Sequence, residues 1–168
     1  MSNAVTGNEP QPQAGLRAAV VGGWLFATGS LSYIVLPALV GGIAELPGFD
    51  DQDAGFIGAA QTFGSALGLL IPSLAMTRFR LPQTVATALA MVVATNLLSM
   101  LALGPLPLAL VRFFAGASEG VLLGIGIGLV SSSGREGSDR RYATAVGAQF
   151  VTGAIVLYNL PILSLIHI

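Results

Sequence analysis

Residues 18–44, 54–77, 81–111 and 142–168 contain no Asp, Glu, Lys or Arg. No other feature limits the fold as strongly, because a helix of roughly 20 apolar residues is what crosses ~30 Å of hydrocarbon. The composition points the same way. Of 168 residues, 54% are hydrophobic and 9% charged, against about 25% charged in soluble domains. Mean hydropathy is +0.80. The chain reads as an integral membrane protein. Disorder is excluded outside the ends, since it requires low hydrophobicity and high charge. A disulfide scaffold is excluded by the absence of cysteine. A net charge of −1 gives nucleic acid no basic surface to bind.

The run 81–111 is interrupted by Gly104-Pro105-Leu106-Pro107, which separates two spans. Five spans are expected, near 19–43, 54–76, 83–103, 107–131 and 142–164, preceded by a polar, flexible leader over 1–15. They must be helices, because backbone amides in lipid have to be satisfied within each segment. The strands of a membrane barrel would alternate in polarity over ~10 residues, and no segment does so. The first apolar stretch is too long for the core of a cleaved secretory signal. The fold class is therefore all-α: a membrane bundle over 16–168 with five transmembrane helices.

With five spans, Arg17, Arg78, Arg80, Arg135, Arg140 and Arg141 fall on one side, opposite Glu45, Asp50, Asp51 and Asp53. That asymmetry places the N-terminus in the cytoplasm, in what is read as a bacterial inner membrane. The acidic loop reads as a solvated connector rather than a cation site. The last residues, Ser164-Leu165-Ile166-His167-Ile168, resemble translated sequencing-adaptor read-through. On that expectation the chain is a fragment and its single histidine is foreign to it.

Two chemical features lie inside the spans. The first is a set of small residues at four-residue spacing: Gly116, Gly120, Gly124 and Gly128 in the fourth span, and Gly64 and Gly68 in the second. Such stripes let helix backbones approach closely in lipid. In a transporter they also mark contacts that rock. The second is a pair of intramembrane charges, Arg112 and Glu119, on nearly the same face of the fourth span and two turns apart. Together they cost roughly 5–7 kcal/mol on insertion scales. At ~10 Å along the axis they are too far apart for an easy direct bridge, so partners on other helices or a watery cavity are expected. Ionisable groups at such depth usually mark a substrate or proton path. Polar pairs that share a helix face, Ser30 with Tyr33, Gln61 with Ser65, and Gln149 with Thr152, read first as interhelical glue.

Three local patterns do not carry the chemistry they mimic. Gly116-Ala117-Ser118-Glu119-Gly120 matches Gly-x-Ser-x-Gly but lacks the strand that a nucleophile elbow follows. Gly124-Ile125-Gly126-Ile127-Gly128 lacks the strand and the spacing of a dinucleotide loop. No His, Cys or carboxylate cluster has metal-ligand spacing. Neither a cofactor, a metal nor an enzymatic activity is expected.

Arg112-Phe113-Phe114-Ala115-Gly116-Ala117-Ser118-Glu119-Gly120 resembles the fourth-helix motif of the major facilitator superfamily, an arginine followed four residues later by glycine among small residues. Ser73-Leu74-Ala75-Met76-Thr77-Arg78-Phe79-Arg80 stands where that family keeps its Gly-x-Leu-Ala-Asp-Arg-x-Gly-Arg-Arg loop, without the leading glycine and the aspartate. Leu25–Ser30 and Phe113–Ser118 match at Phe, Ala and Ser, as inverted three-helix repeats would. The fifth span lacks the Gly-Pro-x-x-Gly-Gly pattern of drug antiporters, which disfavours drug efflux.

The resemblance implies the first five of twelve helices, with a sixth helix and a second half of the protein beyond Ile168. It implies alternating-access transport of a small molecule, coupled to protons. Arg112, Glu119, Tyr33, Gln61 and Gln149 would lie on the substrate and proton path, and Arg78 and Arg80 in a cytoplasmic gate loop. The resemblance carries proton coupling to Arg112; Glu119 is not part of the motif, and on the physical argument alone it would be the proton carrier, with Arg112 holding an anionic group or tuning it. The rival expectation is a small non-transporting membrane assembly or scaffold protein.

Overall fold

In the computed structural model five helices follow one another: α1 (Pro12–Ala44), α2 (Asp51–Ala75), α3 (Leu81–Ser99), α4 (Pro105–Ser132) and α5 (Ser138–Leu165). The structure describes residues 12–75, 80–101, 104–132 and 138–165, with no side-chain description for 12–16, 75, 138–141, 145, 156 and 159–165. Residues 1–11 of the leader expected over 1–15, Arg78, Gly134 to Gly137 with Arg135, the side chains of Arg140 and Arg141, and His167 therefore lie outside the described residues, while positions 12–15 of that expected leader are already helical in α1. Among the described residues four helical segments are long and apolar enough to cross a membrane: Arg17–Ala44, Asp51–Leu74, Leu81–Ser99 and Pro105–Ser132. This is an all-helical membrane protein.

Local chemistry sets the helix ends. Between α1 and α2 the chain turns at Gly48, whose φ of +86° is a conformation that side-chain-bearing residues avoid. Asp50 then caps α2. Its Oδ1 accepts the Asp53 amide at 2.7 Å, while Asp53 Oδ2 accepts the Asp50 amide at 3.4 Å. This reciprocal arrangement satisfies orphan donors and places negative charge at the positive end of the helix dipole. The acidic loop thus has a structural role beyond being a solvated connector. α3 ends at Ser99, four residues short of the expected 103, in turns that return the Met100 and Leu101 amides to Leu97 and Leu98. α4 starts at Pro105, two residues before the expected start, because proline is tolerated in a first helical turn, where amides have no partner anyway.

The helix connections run up and down, and α4 is the axis of the bundle, packing against α1, α2, α3 and α5. Among the described residues α3 packs mainly against α4. Outward faces carry large apolar side chains such as Trp24, Phe63, Leu74 and Phe150, as expected where the solvent is hydrocarbon.

Two apolar clusters bracket the middle of the bundle. Ile43, Ala54, Ile57, Leu108 and Ala109 close the end that carries the α1–α2 turn. Leu25, Ala88, Val121, Leu122 and Ile125 close the opposite end. On α4 the segment between the clusters contains Arg112 and Glu119.

Candidate functional site: an intramembrane charge pair in a polar cleft

Glycine packing places the site. Along the α2–α4 seam a Cβ on Gly64 would strike the carbonyl of Phe113, and one on Gly68 the carbonyl of Ala117. Reciprocally, one on Gly116 would strike the Gln61 carbonyl and one on Gly120 the Ser65 carbonyl. The backbones therefore touch, each helix using glycines to receive the other's carbonyls, a geometry that favours weak Cα–H···O contacts. Gly124 meets Leu69 and Pro72 less tightly, and Gly128 is only partly buried. The expected stripe thus engages α2 from Gly116 to Gly124.

A second close approach fixes α1. A Cβ on Gly29 would collide with the Glu119 carbonyl and with Leu123, and Gly22 and Gly126 face each other one end further on. Glu119 therefore sits where α1 and α2 both come into close backbone contact with α4. With a bulkier residue at Gly29 or Gly120 the two helices would stand away from it.

This register brings three polar side chains to the carboxylate. Gln61 Nε2 donates to Glu119 Oε2 at 3.3 Å, and the Ser32 side chain of α1 lies beside the same carboxylate. Ser65, one turn beyond Gln61 on α2, lines the same small space. Arg112 is held separately: its Nη1 donates to Asn96 Oδ1 of α3 at 3.3 Å, while its Nε is buried without a partner. The charges do not pair with each other; each is held by a neutral amide from a different helix.

Both charges face one cleft of about 300 Å3, lined by Thr28, Ser32, Val35, Gln61, Asn96 and other residues of α1 and α3. A direct Arg112–Glu119 bridge is absent in this arrangement: both groups border the same cleft, whose other walls include Leu31, Leu39 and Val92, and Glu119 is almost fully buried at its edge.

The other residues singled out in the sequence take different places. Gln149 is buried, but its amide donates to the Ser30 carbonyl at 3.4 Å, so it ties α5 to α1 outside the cleft lining. Tyr33 is 41% exposed and belongs to the small space beside Glu119, not to the larger cleft. Arg80 is exposed and lines a groove between α2, α3 and α4. Ser118 donates to the Phe114 carbonyl of its own helix at 2.9 Å, an ordinary intrahelical bond. No group of three or more His, Cys, Asp or Glu that could hold a metal occurs among the described residues.

Sequence reasoning missed Asn96 and Ser32. Asn96 was detectable as an amide in the middle of an apolar span, but its pairing with Arg112 depends on how α3 leans on α4.

No family model, curated protein or solved structure matches the chain.

Proposed function

We propose that this chain is the N-terminal helical unit of a secondary transporter that moves a small anionic solute by alternating access, coupled to a cation. The observation that carries this reading is the shared cleft: Arg112 and Glu119, opposite in charge and unpaired with each other, open onto one space of about 300 Å3 between two apolar clusters. Holding two charges at that depth is costly, and such groups are characteristic of solute and ion pathways. A purely structural pair would be better placed in contact, where each charge offsets the other's desolvation.

In this reading Arg112 receives the anionic group, since its guanidinium has donors free beyond the single bond to Asn96. Glu119 is the site of the coupling cation. The glycine seams are the surfaces on which α4 shifts against α1 and α2, because small side chains allow sliding without interlocking knobs. The resemblance of Arg112–Gly120 to the fourth-helix motif of the major facilitator superfamily supports alternating access with Arg112 on the path; the coupling ion it implies is the proton. An N-terminus on the cytoplasmic side follows from the arginine asymmetry.

The test is uptake into vesicles from cells expressing the full-length gene, with labelled mono- and dicarboxylates as probes. At least one probe should accumulate, and Arg112→Gln should abolish its uptake. Glu119→Gln should remove cation-driven accumulation while sparing exchange of solute across the membrane. Uptake of every probe at the level of control vesicles would favour the scaffold reading instead.

A further inference from the structure

Next to the cleft, on the α1–α2 side of Glu119, lies a much smaller cavity of about 10 Å3, bounded by Ser32, Tyr33, Gln61, Thr62, Ser65 and Glu119. That volume holds one water-sized particle. Six of its seven lining residues carry a side-chain oxygen, and two of those oxygens are orphans: Gln61 Oε1 and Ser65 Oγ are buried without any hydrogen-bond partner. Both residues are more than nine-tenths buried, at 4% and 3% exposed. A buried polar atom left unpaired costs about 1–3 kcal/mol, and here two occur side by side next to a carboxylate.

We propose that this cavity is a binding site for one sodium-sized monovalent cation, held by the Glu119 carboxylate, Gln61 Oε1 and Ser65 Oγ, with Ser32 beside them. The inference rests on the transporter reading of Glu119 and names the cation that couples there. The donor set is all oxygen, which selects a hard cation over a transition metal. With a single carboxylate, a monovalent ion leaves the site neutral, whereas a divalent ion would leave an uncompensated buried charge. A space for one water excludes organic and other bulky cations, and the carboxylate, a strong-field oxygen donor whose attraction rises as the ion shrinks, favours sodium over potassium.

Charge balance across the cleft then gives the coupling. Arg112 and Glu119 sum to zero. An anion on Arg112 alone leaves the cleft with one negative charge, and a cation on Glu119 alone leaves one positive charge. Only joint occupancy restores neutrality, so in a medium of low dielectric each ligand strengthens the binding of the other, reciprocally.

The experiment is binding of radioactive sodium to the purified chain in lipid nanodiscs. Saturable binding is expected, displaced by unlabelled sodium chloride and far less by potassium or choline chloride. Glu119→Gln should abolish it. Ser65→Ala, which removes one ligand atom and little volume, should weaken it about tenfold; unchanged helical circular dichroism and elution volume establish that the variant is folded. Absence of saturable binding, equal displacement by potassium, or unaltered affinity in Glu119→Gln would each overturn the site. Thiol labelling of Val35→Cys in the cleft separates the two readings. Labelled cleft with no sodium binding removes only the cation site, whereas a protected cleft removes the transporter reading.

Discussion

Gln61 Nε2 donates to Glu119 Oε2 at 3.3 Å across the α2–α4 seam, while the oxygen of the same amide is buried with no partner. One side chain thus satisfies a buried carboxylate and offers an unused acceptor to the space beside it. The relationship exists because Gly116 sits against the Gln61 carbonyl, which fixes the height of α2 at Glu119. Replacing Gln61 by Leu removes the only direct amide donor described for the carboxylate. Destabilisation of about 1–3 kcal/mol is expected from the group left unpaired, read by denaturant-induced unfolding in micelles. Stability equal to that of the parent chain would show that Glu119 does not depend on Gln61.

The glycine seam makes a prediction of opposite signs on the same helices. Gly120→Ala places a methyl against the Ser65 carbonyl, and overpacking of this kind costs about 1–3 kcal/mol. Gly55→Ala, at a position on α2 with nothing within 4 Å, should be neutral or stabilising by up to about 1 kcal/mol, from helix propensity alone. Unfolding measured on the two variants side by side tests the assignment, and equal effects would contradict it.

Much of this was legible in advance. The charge-free runs located α1 to α4, and the Gly116-Gly120-Gly124 spacing announced a close helix contact. The distance between Arg112 and Glu119 along one helix already argued against a direct pair. Other features were not legible, for physical reasons. Which helix a glycine stripe meets depends on tertiary packing, so Gly29 and its contact with Glu119 gave no signal. Gln149 and Gln61 look alike in sequence, as amides within apolar spans. They part company only because α5 contacts α1 at Ser30, away from the cleft. The capping role of Asp50 and Asp53 was readable from their three-residue spacing, yet their charge drew the reading toward solvation.

That cap supplies a further prediction. Asp50→Ala should cost about 0.5–2 kcal/mol and raise hydrogen exchange at the amides of the first turn of α2. Protection further along, at Gln61 and beyond, should be unchanged because the glycine seam holds that part of the helix. Exchange unaltered at the first turn would mean that the Asp50–Asp53 bonds contribute nothing.

Arg112 and Asn96 form a side-chain hydrogen bond between α4 and α3, in addition to the apolar packing at Ala88. Asn96→Leu should leave the guanidinium without its amide partner and, on the proposed function, change the affinity for a transported carboxylate more than its maximal rate. Uptake kinetics on the variant would show a raised KM. An unaltered KM would place Asn96 outside the solute path.

The central claim is that water reaches Arg112 and Glu119 through the cleft. The chain has no cysteine, so single cysteines can be introduced one at a time and treated in membranes with a charged, water-soluble thiol reagent. Thr28→Cys and Val35→Cys, on the cleft wall, should be labelled. Ile57→Cys in the apolar cluster and Phe63→Cys on the lipid face should be protected. Protection of Thr28→Cys and Val35→Cys to the same extent as Ile57→Cys would contradict the account, leaving Arg112 and Glu119 as members of a dry, packed core.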